Sequence, residues 1–233
     1  MIIMFIIWLL RKKLGCRKVE FILKKLFVNG LVSNKPLVIL LFTVLLSLPV
    51  FAQQQAFTYN ILYKNNIIGH MQYIQQKSGN NLYLKIVSVA ETRILMNIKV
   101  NVQEEAHYIN DKLVYSHVYR YVNGKTKVNK QTKAFGDAYQ TSSDGKSGSV
   151  ITQQIDWNFT MLYCKEPLNI SQVYSDAFQQ FIAIKTLQPH VYKVELPDGN
   201  YNVYHYKNGI CNKVDVHNSW CTVQMQLTQN SIF

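Results

Sequence analysis

Asn123-Gly124 and Asn208-Gly209 each stand between runs in which apolar and polar residues alternate. Asn-Gly readily supplies the two successive positive φ values of a two-residue turn whose twist matches that of antiparallel strands. Asn65-Asn66, Gly79-Asn80-Asn81, Asn110-Asp111 and Pro197-Asp198-Gly199 repeat the signal at strand-length intervals. Residues 192–215 hold two of these turns and read as three short strands in a meander. The chain is therefore expected to be mainly all-β: an antiparallel meander forming a curled sheet or a barrel-like fold.

The longest alternating run is 94–109. Ile94, Met96, Ile98, Val100, Val102, Ala106 and Tyr108 share one face, and Asn97, Lys99, Asn101, Gln103, Glu105 and His107 the other. A period of two over this length predicts a strand with one buried and one wet face. Further strands are expected over 56–63, 67–77, 82–92, 112–122, 125–133, 135–141, 182–187, 191–196, 201–206, 210–217 and 220–227. Gly69, inside a strand, marks a bulge or bend. Residues 142–149, SSDGKSGS, read as a flexible loop. The grammar changes between 155 and 181: an apolar stretch with Trp157, Phe159, Met161 and Leu162 is broken at Glu166-Pro167. Ser171 then offers a cap for one short helix over 171–181.

Lys35-Pro36 precedes the apolar run LVILLFTVLLSLPVFA, residues 37–52. A basic flank, an apolar core of about a dozen residues and small residues at its end are the layout of a secretory signal peptide, with cleavage expected after Ala52. Residues 35–52 are thus read as the signal peptide and 53–233 as one β-rich domain, exported to the periplasm, the cell envelope or the medium. Residues 1–34 are either an over-extended start or a short membrane segment. Their apolar stretch of ten residues reaches only about 15 Å as a helix, which favours the first and places true translation near Leu31 or Val32.

The address changes the meaning of the charge. Eight Lys+Arg and one Glu lie in residues 1–52, so +7 of the formal +12 is there; the rest has 17 Lys+Arg against 12 Asp+Glu. The remaining +5 does not call for nucleic acid, and the chain lacks the interleaved aromatics of a single-strand groove. One local cluster, Lys112, Arg120, Lys125, Lys127, Lys130 and Lys133, reads as a solvated strand edge or a docking surface for an anionic partner. Three cysteines follow residue 52: Cys164, Cys211 and Cys221. If Asn218-Ser219 is a two-residue turn, Val216 faces Cys221 and Cys211 faces Gln226, out of register for a disulfide. Buried thiols are the expectation.

No Gly-x-Ser-x-Gly, His-Glu-x-x-His, Cys-x-x-Cys or phosphate-binding glycine loop is present, so no catalytic set, metal site or cofactor is assigned. His205 and His217 sit near turns with no carboxylate at ligand spacing and read as surface histidines. The sharpest constellation comes from register. If Asn110-Asp111 is a two-residue turn, Ile109 faces Lys112 and Glu104 faces His117. Glu104 belongs to the apolar set of its strand. His117 would lie with Tyr115, Tyr119 and Tyr121 on the same face, making a polar anchor in a tyrosine-lined interior. A one-residue slip would exchange the faces and undo this arrangement.

Leu162-Tyr163, Glu166-Pro167, Val173-Tyr174-Ser175, Leu196-Pro197-Asp198-Gly199, Asn202-x-Tyr204-x-Tyr206-x-Asn208-Gly209 and Val214-x-Val216 together resemble a family of secreted β-rich Bacteroidetes proteins known only as a domain of unknown function. Tyr63 and Ile68-Gly69 fit its opening hairpin, so the likeness spans nearly all of 56–228. It implies an exported β-rich protein and supplies no activity. The function expected from the residues is a non-catalytic exported domain that binds or carries an apolar or amphipathic small molecule on its concave face. An envelope scaffold with a protein partner is the alternative, and an enzyme using Glu104 and His117 the third reading.

Overall fold

The structure is a computed structural model and describes residues 53–92, 98–219 and 221–232. The expected start site and the expected signal peptide, together with Trp220 and the beginning of the 94–109 run, lie outside the described residues. Fourteen strands follow in chain order: β1 Gln53–Tyr63, β2 Asn66–Ser78, β3 Asn81–Thr92, β4 Ile98–Ile109, β5 Lys112–Val122, β6 Lys125–Phe135, β7 Ala138–Ser143, β8 Lys146–Ile151, β9 Gln172–Ser175, β10 Gln180–Gln188, β11 Val191–Glu195, β12 Tyr201–Lys207, β13 Ile210–His217 and β14 Thr222–Ile232. They form one antiparallel sheet in the order β8-β7-β6-β5-β4-β3-β2-β1-β14-β13-β12-β11-β10-β9. Each half is a plain meander, and β1 pairing with β14 joins them. The sheet is not closed into a barrel, since β8 and β9 are its two edges.

The turns explain the meander. Asn110-Asp111, Asn123-Gly124, Asp144-Gly145 and Asn208-Gly209 all carry two successive positive φ values, the geometry that twists two strands into register. In the first hairpin the turn falls on Lys64-Asn65, one residue before the expected pair. Gly69 lies beside a register shift between β1 and β2, as expected of a bulge. A Cβ there would sit 2.1 Å from the Val89 carbonyl oxygen, so only glycine permits this approach of β2 to β3.

Three local expectations are corrected. Residues 142–149 are not a loop: Asp144-Gly145 turns the end of β7 into β8. Residues 171–181 are not a helix but the β9–β10 hairpin. Val173 and Tyr174 are both buried, which suits the pleated edge of a sheet, and Gln179 takes φ +56°, which an α-helix does not tolerate. Between β13 and β14 the connection is longer than two residues, with Val216 opposite Val223 rather than Cys221. Cys211 is buried, and Cys164, Cys211 and Cys221 are all free thiols.

The helical element lies earlier, in the segment that links the two edges. Phe159–Tyr163 is a 3-10 turn capped by Asn158, whose side chain accepts from the Met161 N–H at 3.3 Å. It inserts Met161, Leu162 and Tyr163 into the core as a plug. Tyr163 stacks on Tyr73 at 5.9 Å and meets Tyr59 and Tyr204 edge-on at 5.7 and 6.2 Å. Tyrosine is the main large filler here because its ring buries apolar area while its hydroxyl finds a partner. Tyr59 donates to Cys211 O at 2.7 Å, Tyr206 to Leu162 O at 2.6 Å and Tyr108 to Asn158 Oδ1 at 2.8 Å. The plug is thus sewn to the sheet by the residues that also pack against it.

Candidate functional site

The predicted pairing of Glu104 with His117 is overturned by one residue. Ile109 does face Lys112 and Tyr108 faces Leu113, but His107 then faces Tyr115, leaving Val114 without an opposite number. Below this bulge Glu104 pairs with Val118, and His117 with Glu105. An inserted residue moves every following side chain to the other face of its strand. His117, Tyr115, Tyr119 and Tyr121 therefore share the outer face. His117 Nε2 lies 2.9 Å from Asn129 Oδ1, its Nδ1 lies 4.0 Å from Glu105, and the Tyr119 hydroxyl donates to that of Tyr121. Tyr83 donates to Glu105 at 3.0 Å, extending this outer ladder across four strands. The interior is indeed tyrosine-lined, but by Tyr59, Tyr73, Tyr108, Tyr163, Tyr174 and Tyr204.

Glu104 stays inside, and the side chains it meets there were not foreseen. It lies deep among its neighbours yet keeps accessible surface, as a group lining a concavity does. Burial pushes its carboxyl up, and the Arg120 guanidinium partly opposes that. Arg120 lies opposite Val102, diagonal to Glu104, and its inward parity follows from Val118, buried two residues earlier. No hydrogen bond or close ion pair joins Arg120 to Glu104, and among the described residues neither charged group has a hydrogen-bond partner. Lys130, opposite Val118, also turns inward and donates to Ala177 O at 2.8 Å. The basic cluster is therefore not one surface: Arg120 and Lys130 face in, while Lys125, Lys127 and Lys133 are exposed.

The β9–β10 turn brings a second carboxyl to this face. Asp176 is buried, and burial pushes it up to about 7; Glu104 adds to the rise, while Ser116 and Asn158 oppose it. Its Oδ2 accepts from Asn158 Nδ2 at 2.9 Å, while Ser116 Oγ stands near enough to favour the charged carboxyl but makes no well-formed hydrogen bond to Oδ1. Two signals in the sequence point here. Arg120 interrupts an apolar set, Val118 and Val122, at the parity that faces inward. Asp176 directly follows the buried Val173-Tyr174-Ser175.

Two other carboxylates are structural clasps. Glu166, buried at the end of the plug segment, accepts from Tyr192 at 2.8 Å and lies 3.0 Å from His190 Nδ1. His205, expected to lack an acidic partner, lies 2.8 Å from Asp215, which Lys213 also contacts at 2.9 Å. A cleft of about 340 Å³ opens where the plug segment meets the β4–β5 turn, lined by Asn110, Asp111, Gln154, Asp156, Trp157, Met161 and Lys165. Lys165 Nζ covers the Trp157 ring at 5.1 Å. Among the described residues no group of three or more His, Cys, Asp or Glu side chains is arranged to hold a metal.

Fold and site together define an antiparallel β domain of barrel-like type whose inner face is part plug and part ionisable groups. The chain belongs to the family described as Domain of unknown function (DUF6134), whose model matches residues 59–228. Among solved structures it is similar to the crystal structure of a β-barrel-like protein of domain of unknown function DUF1849 from Brucella abortus. That likeness has 10% sequence identity and a TM-score of 0.47, and covers 80% of this chain and 100% of that one. No curated protein matches.

Proposed function

We propose that this protein is an exported, non-catalytic binding domain that takes an amphipathic small molecule on the half of its inner face the plug leaves free. The observation that supports this is a row of half-buried valines. Val100 and Val102 on β4, Val122 on β5 and Val128 on β6 carry the inward parity of Glu104 and Val118, yet lie outside the plug-centred core. Apolar surface left half-covered on a concave face is what a binding site for an apolar chain offers. Glu104 and Arg120 stand among these valines, so the site is apolar along its walls with charged groups beside them. The plug occupies the rest of the interior, so the ligand lies along one half of the sheet. The leader-like residues 35–52 support an envelope or periplasmic address.

The test is native mass spectrometry of the protein purified from its own envelope, with uptake of the neutral fluorophore N-phenyl-1-naphthylamine as the companion measurement. A co-purifying lipid-like adduct and saturable fluorescence enhancement are expected. A bare protein mass together with no enhancement would sink the reading, and a stoichiometric protein partner would favour a scaffold instead.

A further inference from the structure

The binding reading leaves the ligand's polar end unspecified, and the groups facing the site restrict it. From β4 comes Glu104, from β5 Arg120, from β6 Lys130, and from the β9–β10 turn Asp176. Lys130 is already engaged with Ala177 O. Arg120 is not: its forked set of donors has no hydrogen-bond partner among the described residues, although it sits beside an apolar wall. Neither carboxyl engages it: Glu104 lies diagonal to it with no hydrogen bond, and Asp176 is bonded to Asn158. The Arg120 guanidinium is therefore the cationic donor set on this face that no group among the described residues engages.

Resting on that reading, we infer that the ligand is an anionic amphiphile with a single carboxylate-like head, held by the Arg120 guanidinium with its apolar chain along Val100, Val102, Val122 and Val128. A planar guanidinium meets a carboxylate through two parallel N–H···O bonds, a fit that an ammonium or a neutral sugar head cannot reproduce. Glu104 contributes as the neighbouring group that, once protonated, can donate to the head. The anion in turn favours that protonation. A cationic head would be repelled by Arg120 and Lys130, and an uncharged one would offer the fork only neutral, weaker acceptors.

Three amphiphiles with the same twelve-carbon chain separate the possibilities: laurate, dodecyl maltoside and dodecylammonium, each used to displace N-phenyl-1-naphthylamine from the purified protein. Laurate is expected to bind at least about tenfold more tightly than dodecyl maltoside, the effect of one charge-assisted hydrogen bond, and dodecylammonium most weakly. Arg120→Met is expected to abolish the preference for laurate over dodecyl maltoside. Arg120→Gln gives the same comparison if the methionine variant does not fold. Equal affinities for all three, tighter binding of dodecylammonium, or an undiminished laurate preference in the Arg120 variants would overturn the head-group inference and leave the binding reading standing. Failure of the fluorophore to bind at all would overturn the reading beneath it.

Discussion

Asp176 is a place where the protein gives up stability, and the amount can be worked from its surroundings. A carboxyl that titrates near 3.8 when exposed is held at about 7 in the fold, mainly by burial and further by Glu104. That difference corresponds to about 4 kcal/mol between the neutral and charged forms. The sign follows from proton counting. Between these two values the folded protein holds a proton that the unfolded chain has released. The contribution is therefore fully present below about pH 4, declines as the pH rises to about 7, and is level beyond that. Asp176→Asn removes the charge at every pH. Its amide can keep the Asn158 contact and turn its N–H toward Ser116 Oγ, one of the two atoms left without a partner.

The variant is expected to be more stable than the parent at pH 8, with about 4 kcal/mol as the ceiling, and nearly equal to it at pH 4. Urea unfolding of both proteins at pH 4, 6 and 8 measures this, and taking the difference between them cancels the titrating groups that do not interact with Asp176, which leaves out Glu104. A gap that does not grow from pH 4 to pH 8, or a variant that is less stable at both, would refute the argument that burial of an incompletely bonded charge dominates here.

The remaining predictions concern the frame around the site. Tyr163→Ala should cost roughly 3–5 kcal/mol, because the ring fills the space between Tyr59, Tyr73 and Tyr204. Tyr163→Phe should cost less than about 1.5 kcal/mol, since the hydroxyl only reaches Met225 Sδ at 3.3 Å; denaturant midpoints compare the two. Gly69→Ala should lower the thermal midpoint sharply, because a methyl group there collides with the Val89 backbone. Asp215 behaves oppositely to Asp176. Burial works against its charge, but the bonds from Lys213 and His205 outweigh this and hold its carboxyl low. Asp215→Asn should therefore destabilise the protein at pH 7 and much less under acid conditions, where the native carboxylate also loses its charge.

The strands were legible because their determinants are local. Asn123-Gly124 and Asn208-Gly209 need only their own φ angles to turn the chain, and the alternation from 98 to 109 needs only its own side chains. Where two residues act together across strands, the reading depended on every residue between them. The Asn110-Asp111 turn and the Ile109–Lys112 pair were correct, yet Glu104 and His117 were placed together wrongly. The cause is Val114, which bulges with no glycine or proline to announce it. Residues 142–149 misled for a different reason: serine and glycine describe an exposed edge strand as well as a loop, and β8 is such an edge.

The same bulge shows which sequence signals survive a register error. Pairing arguments fail when one residue is inserted, but parity within a single strand does not. Val118, Arg120 and Val122 alternate on one side of the bulge and so keep a common face whatever lies opposite. An arginine at apolar parity is anomalous in its own strand, and the structure turns it inward beside Glu104. Arg120 is half-buried there, and its guanidinium has no hydrogen bond to its own strand. Val102 opposite is apolar, and the diagonal Glu104 does not hydrogen-bond to it either. Near Glu104, two groups thus lack full partners among the described residues: the half-buried guanidinium on β5 and the Asp176 carboxyl on the β9–β10 turn. Asp176 is held by the plug's own cap, Asn158, whereas Arg120 stands on the part of the inner face that Val102 and Val122 line.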